Sequence, residues 1–229
     1  MSQPRPSRRA APVEPDEIEA PPPWGRQAWI ALLVMGALIA AVAGAGVLVS
    51  KALEPAVPQA LSHCATSTQI GPHEFTGPQP MCITAKQKLQ ATITTAHGDI
   101  VIDLAPEVAP VTVNNFVVLA IHGFYNGLTF WKAEDWVVQG GDPRGDGRGG
   151  PGYTLPEETT VTPWAAGAVG MARVPGGPVN GSQFFIQKGQ WPSPGPTTAY
   201  NRFGTVIDMT NVTAIQVTDR ITSITIKVS

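Results

Sequence analysis

The chain has 229 residues and a formal net charge of −2. It is long enough for one good domain plus appendages, and it lacks the basic excess that nucleic-acid binding would require. Its 24 glycines and 23 prolines favour turns and short strands over a helical bundle.

Apolar residues are unevenly spread along the chain. Residues 1–28 are proline-rich and polar, with Pro4, Pro6, Pro12, Pro15 and Pro21 to Pro23. Such a segment buries too little surface to offset its ordering entropy, so it is expected to be a disordered tail. Residues 29–49, WIALLVMGALIAAVAGAGVLV, carry no charge. At ~1.5 Å per residue this run spans about 30 Å, which fits a bilayer core and a single transmembrane helix. A cleaved signal peptide is the rival reading, but the apolar stretch is longer than a signal core and starts late. Arg5, Arg8, Arg9 and Arg26 precede the span and Lys51 follows it. The positive-inside rule then expects a cytoplasmic N-terminus and an extracytoplasmic C-terminal part.

Residues 50–87 form a Pro/Gly-rich stretch without clear periodicity, expected to be a neck. It holds both cysteines, Cys64 and Cys82. Outside the cytoplasm these can form a disulfide; two unpaired thiols are the alternative. His63 and His73 lie nearby, but the spacing matches no standard zinc pattern, so no metal site is expected.

The texture changes at residue 88, and 88–229 is expected to be one domain. LQATITTAHGDIVIDLA alternates apolar and polar residues around His97, Gly98 and Asp99, the pattern of a β-hairpin. VAPVTVNNFVVLAIHGFYNG places Val113, Phe116, Val117 and Ala120 at helical spacing, with Pro110 suited to a first turn and Gly123 to a C-cap. Short strands follow at 129–132, 136–139, 168–172, 184–187 and 203–207, and RITSITIKVS reads as a closing strand. The expected fold is mostly β: a closed antiparallel barrel capped by helices.

Two runs carry chemistry, VVQGGDPRGDGRGG at 137–150 and NGSQFFI at 180–186. Neither offers a nucleophile, a metal-ligand cluster or the Gly-Lys-Ser/Thr of a phosphate loop. They offer amides, Gln139 and Gln183, which both donate and accept and so can clamp a peptide backbone. Around them Trp136, Val137, Phe185 and Trp191 can wall an apolar pocket. Phe184 and Phe185 are neighbours in a strand, so one must face the core, and Phe184 is the expected one.

Both runs, in this order, resemble the cyclophilins, the peptidyl-prolyl cis-trans isomerases. The resemblance covers about 88–229 and implies the barrel fold, proline-containing peptides or unfolded exported proteins as partners, and a monomer. It implies Lys132 and Gln139 as catalytic residues. Trp136, Val137, Ala172, Arg173, Gln183, Phe185, Trp191 and Tyr200 are implied as substrate-binding. The family's Phe-His-Arg run is here Phe130, Trp131 and Lys132, so a lysine stands where the family has its catalytic arginine. Arg173 follows Ala172 where the family has Asn, and the loop at 191–200 matches loosely. The rotation it implies breaks no covalent bond and needs no cofactor. Three readings are expected in descending order: a membrane-anchored isomerase for extracytoplasmic proteins, a weakened proline-binding or chaperone module, and an envelope scaffold.

Overall fold

The computed structural model describes residues 57–65, 67–158, 164–192 and 199–229. The tail expected at 1–28 and the span expected at 29–49 lie outside the described residues. Among the described residues no helix is long and apolar enough to cross a membrane.

A 3-10 turn at Gln59–Ala65 comes first, followed by a small pair of strands, β1 (Gln69–Gly71) and β2 (Glu74–Phe75). Next come β3 (Leu89–Thr95), β4 (Gly98–Leu104) and the helix α1 (Pro110–Ile121). Five short strands follow: β5 (Lys132–Ala133), β6 (Val137–Gly140), β7 (Thr154–Leu155), β8 (Ala168–Met171) and β9 (Val179–Asn180). The chain finishes with β10 (Phe184–Gln187), β11 (Arg202–Val206), a single helical turn α2 (Thr210–Ala214) and β12 (Ser223–Val228).

Eight of these strands make one antiparallel sheet in the order β12-β3-β4-β11-β8-β10-β6-β5. The hairpin is where the alternation puts it, with Thr95 opposite Gly98. Burial along β3 alternates strictly between buried and half-buried, as a sheet with one face on a core requires. The expected closed barrel is corrected to a curled half-barrel. Its ladder ends at β12 on one side and β5 on the other, because β5 is only two residues long. The seam between these edges is crossed by an isolated bridge at Thr129 and Arg220 and by loop bonds, Phe130 N–H to Asp219 O and Ile221 N–H to Leu128 O, each 2.8 Å.

Helix α1 begins with Pro110 at its first position and ends before Gly123, whose φ of +69° is the left-handed turn glycine accepts at little cost. Its free N-terminal amides are capped across the fold. The Glu158 carboxylate accepts from Val111 N–H at 2.9 Å and Thr112 N–H at 2.8 Å, near the positive end of the helix dipole. An amphipathic helix covering one end of a sheet should leave an outer face wet, yet every residue from Thr112 to Ala120 is buried.

The cover is the segment expected to be a neck. Leu61, Cys64, Phe75 and Ile83 are all buried in the main core. Asn114 of α1 accepts from Cys82 N–H at 2.7 Å and donates to Pro80 O at 3.0 Å. His73 bonds the Phe124 carbonyl at 2.8 Å, and Phe75 packs 5.9 Å from the Phe124 ring. The described residues of 57–87 are therefore a layer of the same compact unit, Pro55–Ser229, rather than a spacer outside the domain. Cys64 and Cys82 are joined, with Cα atoms 5.2 Å apart, and clip this layer into an 18-residue loop.

Reducing that disulfide, or replacing both cysteines by alanine, is expected to lower stability by about 3 kcal/mol in denaturant titrations, the loop-entropy value for this separation. A second expectation concerns alkali. Burial pushes the Tyr153 phenol up to about 12, partly opposed by the Gln79 hydrogen bond, and raises the fully buried Tyr125 well above its ordinary value. The folded state thus keeps protons that the unfolded chain releases near pH 10. Their contribution is complete below about pH 10 and is lost as pH rises through about 12. The thermal midpoint should fall across that window, and less steeply in Tyr153→Phe.

Candidate active site

The antiparallel register places the central side chains. Gln139 on β6 lies opposite both Phe185 on β10 and Lys132 on β5. Side chains alternate along β10, so Phe184 enters the core against Phe116 and Tyr125, each ring centroid 5.7 Å away. Phe185 takes the opposite face with Val137 and Ala172, flanked by half-buried Trp136, Trp164, Trp191 and Tyr200.

On that face lies a groove of about 480 Å³. All ten residues singled out from the sequence line it: Lys132, Trp136, Val137, Gln139, Ala172, Arg173, Gln183, Phe185, Trp191 and Tyr200. It falls in the size range of small-ligand clefts.

Hydrogen bonds fix the amides. Gln139 Nε2 donates to Gln183 Oε1 at 3.0 Å, and Gln183 Nε2 donates to Gly149 O at 2.8 Å. Gln183 is buried, so its orientation is set by these two bonds and in turn sets that of Gln139. Gly149 is presented by the 142–150 loop, whose shape Asp142 holds by accepting from Arg144 N–H at 2.8 Å and Gly147 N–H at 2.5 Å. Gly147 has φ +82°, and a Cβ there would stand 2.9 Å from the Trp131 ring, so the loop can rest on that indole only as glycine.

Lys132 Nζ sits 3.3 Å from Glu134 Oε1 and 5.0 Å from the centroid of the Trp136 ring. Glu134 also accepts from Trp136 Nε1 at 2.6 Å, so one carboxylate ties the cation and the indole together. Arg173 is held at the other rim by Glu157 Oε1 at 3.0 Å and by the Ala199 carbonyl at 3.2 Å. Burial raises the Tyr200 phenol above its ordinary value, with the Arg173 charge pulling the other way, so the hydroxyl keeps its proton at neutral pH.

Sequence reading missed Trp164, which stacks on Phe185 at 5.3 Å and 27° and meets Tyr200 at 6.0 Å. It comes from a proline-flanked stretch without periodicity, where nothing marks a buried ring. Gly170 on β8, opposite Phe185, is the one legible trace: a Cβ there would approach the Phe185 ring to 2.9 Å. Arg148 also lines the groove, from a loop that reads only as turns.

A half-barrel with an aromatic recess, paired amides and a cation offers the parts that can hold a peptide. Comparison with known proteins agrees with the fold and with the motifs. The family described as cyclophilin type peptidyl-prolyl cis-trans isomerase/CLD matches residues 90–227, and the chain belongs to that family. It is 53% identical over 87 residues to peptidyl-prolyl cis-trans isomerase B of Bacillus subtilis, covering 37% of this chain and 60% of that protein. It is 46% identical over 98 residues to a peptidyl-prolyl cis-trans isomerase of Synechococcus elongatus, covering 42% and 67%. Among solved structures it is similar to a cyclophilin type peptidyl-prolyl cis-trans isomerase of Cryptosporidium parvum, with TM-score 0.55 and 26% identity over 62% of this chain and 98% of that one. The same protein determined in the presence of the dipeptide Ala-Pro matches with TM-score 0.54 and 28% identity over 60% and 98%.

Gln183→Ala removes both bonds of a buried amide, takes away the acceptor of Gln139 Nε2 and leaves the Gly149 carbonyl with only the Asn180 amide, at 2.9 Å. It is expected to cost about 1–3 kcal/mol of stability and to shift the side-chain NH2 resonances of Gln139 in an NMR spectrum.

Proposed function

We propose that this chain is a membrane-anchored peptidyl-prolyl cis-trans isomerase acting on proline-containing segments of extracytoplasmic proteins. The observation that carries the reading is the convergence of Lys132, Gln139, Gln183 and Phe185 on one groove. Rotation about an Xaa-Pro bond is slow because amide resonance is lost at the transition state. A catalyst must bury the proline ring, hold the flanking backbone and stabilise the twisted imide better than the planar one.

The parts divide among these tasks. Phe185, Val137 and Trp191 receive the ring, with Trp164 behind Phe185. Gln139, oriented by Gln183, bonds the peptide backbone. Lys132 supplies the positive donor for the imide nitrogen as it pyramidalises, or for the neighbouring carbonyl. The Cryptosporidium relative determined with Ala-Pro supports a proline peptide as ligand. The apolar run at 29–49 and its upstream arginines support the anchor and the outward domain. The Cys64–Cys82 pair supports an oxidising compartment.

The second reading, a proline-binding module with little turnover, has its own observation. Lysine is a single flexible donor where arginine offers a planar fork, and here its ammonium is shared with Glu134 and the Trp136 face. The loss of one contact is worth about 1–3 kcal/mol, or roughly 5- to 150-fold in rate.

Exchange NMR on a short Xaa-Pro peptide with the full chain decides between the readings. Acceleration is expected, falling at least about tenfold in Lys132→Ala and rising about tenfold or more in Lys132→Arg. Binding without acceleration in any of the three proteins would leave the recognition module.

A further inference from the structure

The charge lining the groove is one-sided. Lys132, Arg148 and Arg173 face it, while no aspartate or glutamate lines it among the described residues. Two of these cations are already partnered from the rim, Lys132 by Glu134 and Arg173 by Glu157, carboxylates whose side chains are 49% and 51% exposed. Arg148 is different. It is exposed, and its guanidinium makes no ion pair among the described residues. The acids of its own loop are occupied: Asp146 pairs with Arg144 at 2.9 Å, and Asp142 is spent on backbone amides.

The backbone beside Arg148 is tied to the proline recess by the amide chain. Gln139 lies opposite Phe185, its amide reaches Gln183 at 3.0 Å, and Gln183 reaches Gly149, the residue after Arg148, at 2.8 Å. Two hydrogen bonds in series cover about the length of two residues of extended peptide, roughly 7 Å. A peptide with its proline over Phe185 and its backbone on Gln139 therefore brings a side chain about two residues away to the Gly149 end of the groove, which Arg148 also lines.

Resting on the isomerase reading above, we infer that the groove selects proline segments carrying a carboxylate two residues from the proline, and that Arg148 reads that carboxylate. A carboxylate can take a guanidinium bidentately, whereas a lysine at the same place meets a cation whose loop neighbour Asp146 is already paired with Arg144 and bonded to the Arg148 amide. Electrostatic selection of this kind acts across a half-open groove, so it weakens as salt rises.

The test uses the full chain in non-ionic detergent and blocked peptides of one sequence around a single proline. Glu, Gln or Lys is placed two residues before it in one set and two residues after it in another. Dissociation constants are read by NMR titration at low salt and at high salt. In one of the two sets the order Glu, Gln, Lys is expected, with roughly three- to tenfold between Glu and Lys at low salt and less at high salt. Arg148→Gln should bring the ratio towards one, and Arg148→Glu should reverse it. Equal binding of the three peptides in both sets overturns the selectivity, and a ratio untouched by Arg148→Gln overturns the assignment to that residue. Failure of every peptide to bind, the Gln forms included, overturns the isomerase reading and this inference with it.

Discussion

The constraint on which the rest depends is that β10 is buried on both faces. Strand geometry sends Phe184 and Phe185 to opposite sides. The first locks among Phe116, Tyr125 and Phe130, and the second forms the floor of the groove. β10 is hydrogen-bonded on both edges, to β6 and to β8. A slip of one residue would put the groove face into the core on both ladders at once. The recess is thus as rigid as the core behind it, and the placement of Gln139 and Gly170 opposite Phe185 follows from the same register.

Upon that rigid floor the polar parts are arranged by short local rules. Asp142 folds its loop by gathering two backbone amides, the loop offers Gly149 O to Gln183, and Gln183 orients Gln139. Each member is satisfied by the one before it, so little reorganisation is left for the moment a peptide binds. The cation departs from this pattern. Among the described residues Lys132 is held by a half-exposed carboxylate and an indole face. The amides are therefore more firmly preorganised than the ammonium.

The sequence made legible those features that arise from local periodicity. The 89–104 hairpin, the helix with Pro110 and Gly123 at its ends, and the inward Phe184 all follow from alternation and turn chemistry. Of the ten groove residues, Val137, Gln139, Gln183 and Phe185 were legible in the two motifs themselves, while Ala172, Arg173 and Tyr200 were named only through the family resemblance. Trp164 was not legible, since a ring that reaches the groove from an aperiodic loop leaves no pattern of its own. The closed barrel was a natural extrapolation from many short strands. Closure, however, needs an edge pair of adequate length, and β5 with two residues cannot supply one to β12.

The neck was illegible for a related reason, and its packing changes what the domain is. Leu61, Phe75 and Ile83 are spaced without helical or strand period, so each reads as an isolated apolar residue in a loop. Buried, each contributes about 1.5–3 kcal/mol, enough together to matter against a marginal fold. They cover the side of α1 that would otherwise face water. Adjacent asparagines on that helix then serve both directions: Asn114 grips Pro80 and Cys82 of the covering layer, while Asn115 donates at 2.7 Å to the carbonyl of Gly181, the residue after groove-lining Asn180. The span that matches the family, 90–227, therefore does not carry its own outer wall. That wall comes from the preceding residues, clipped by Cys64–Cys82, and it reaches the peptide groove through a single turn of helix.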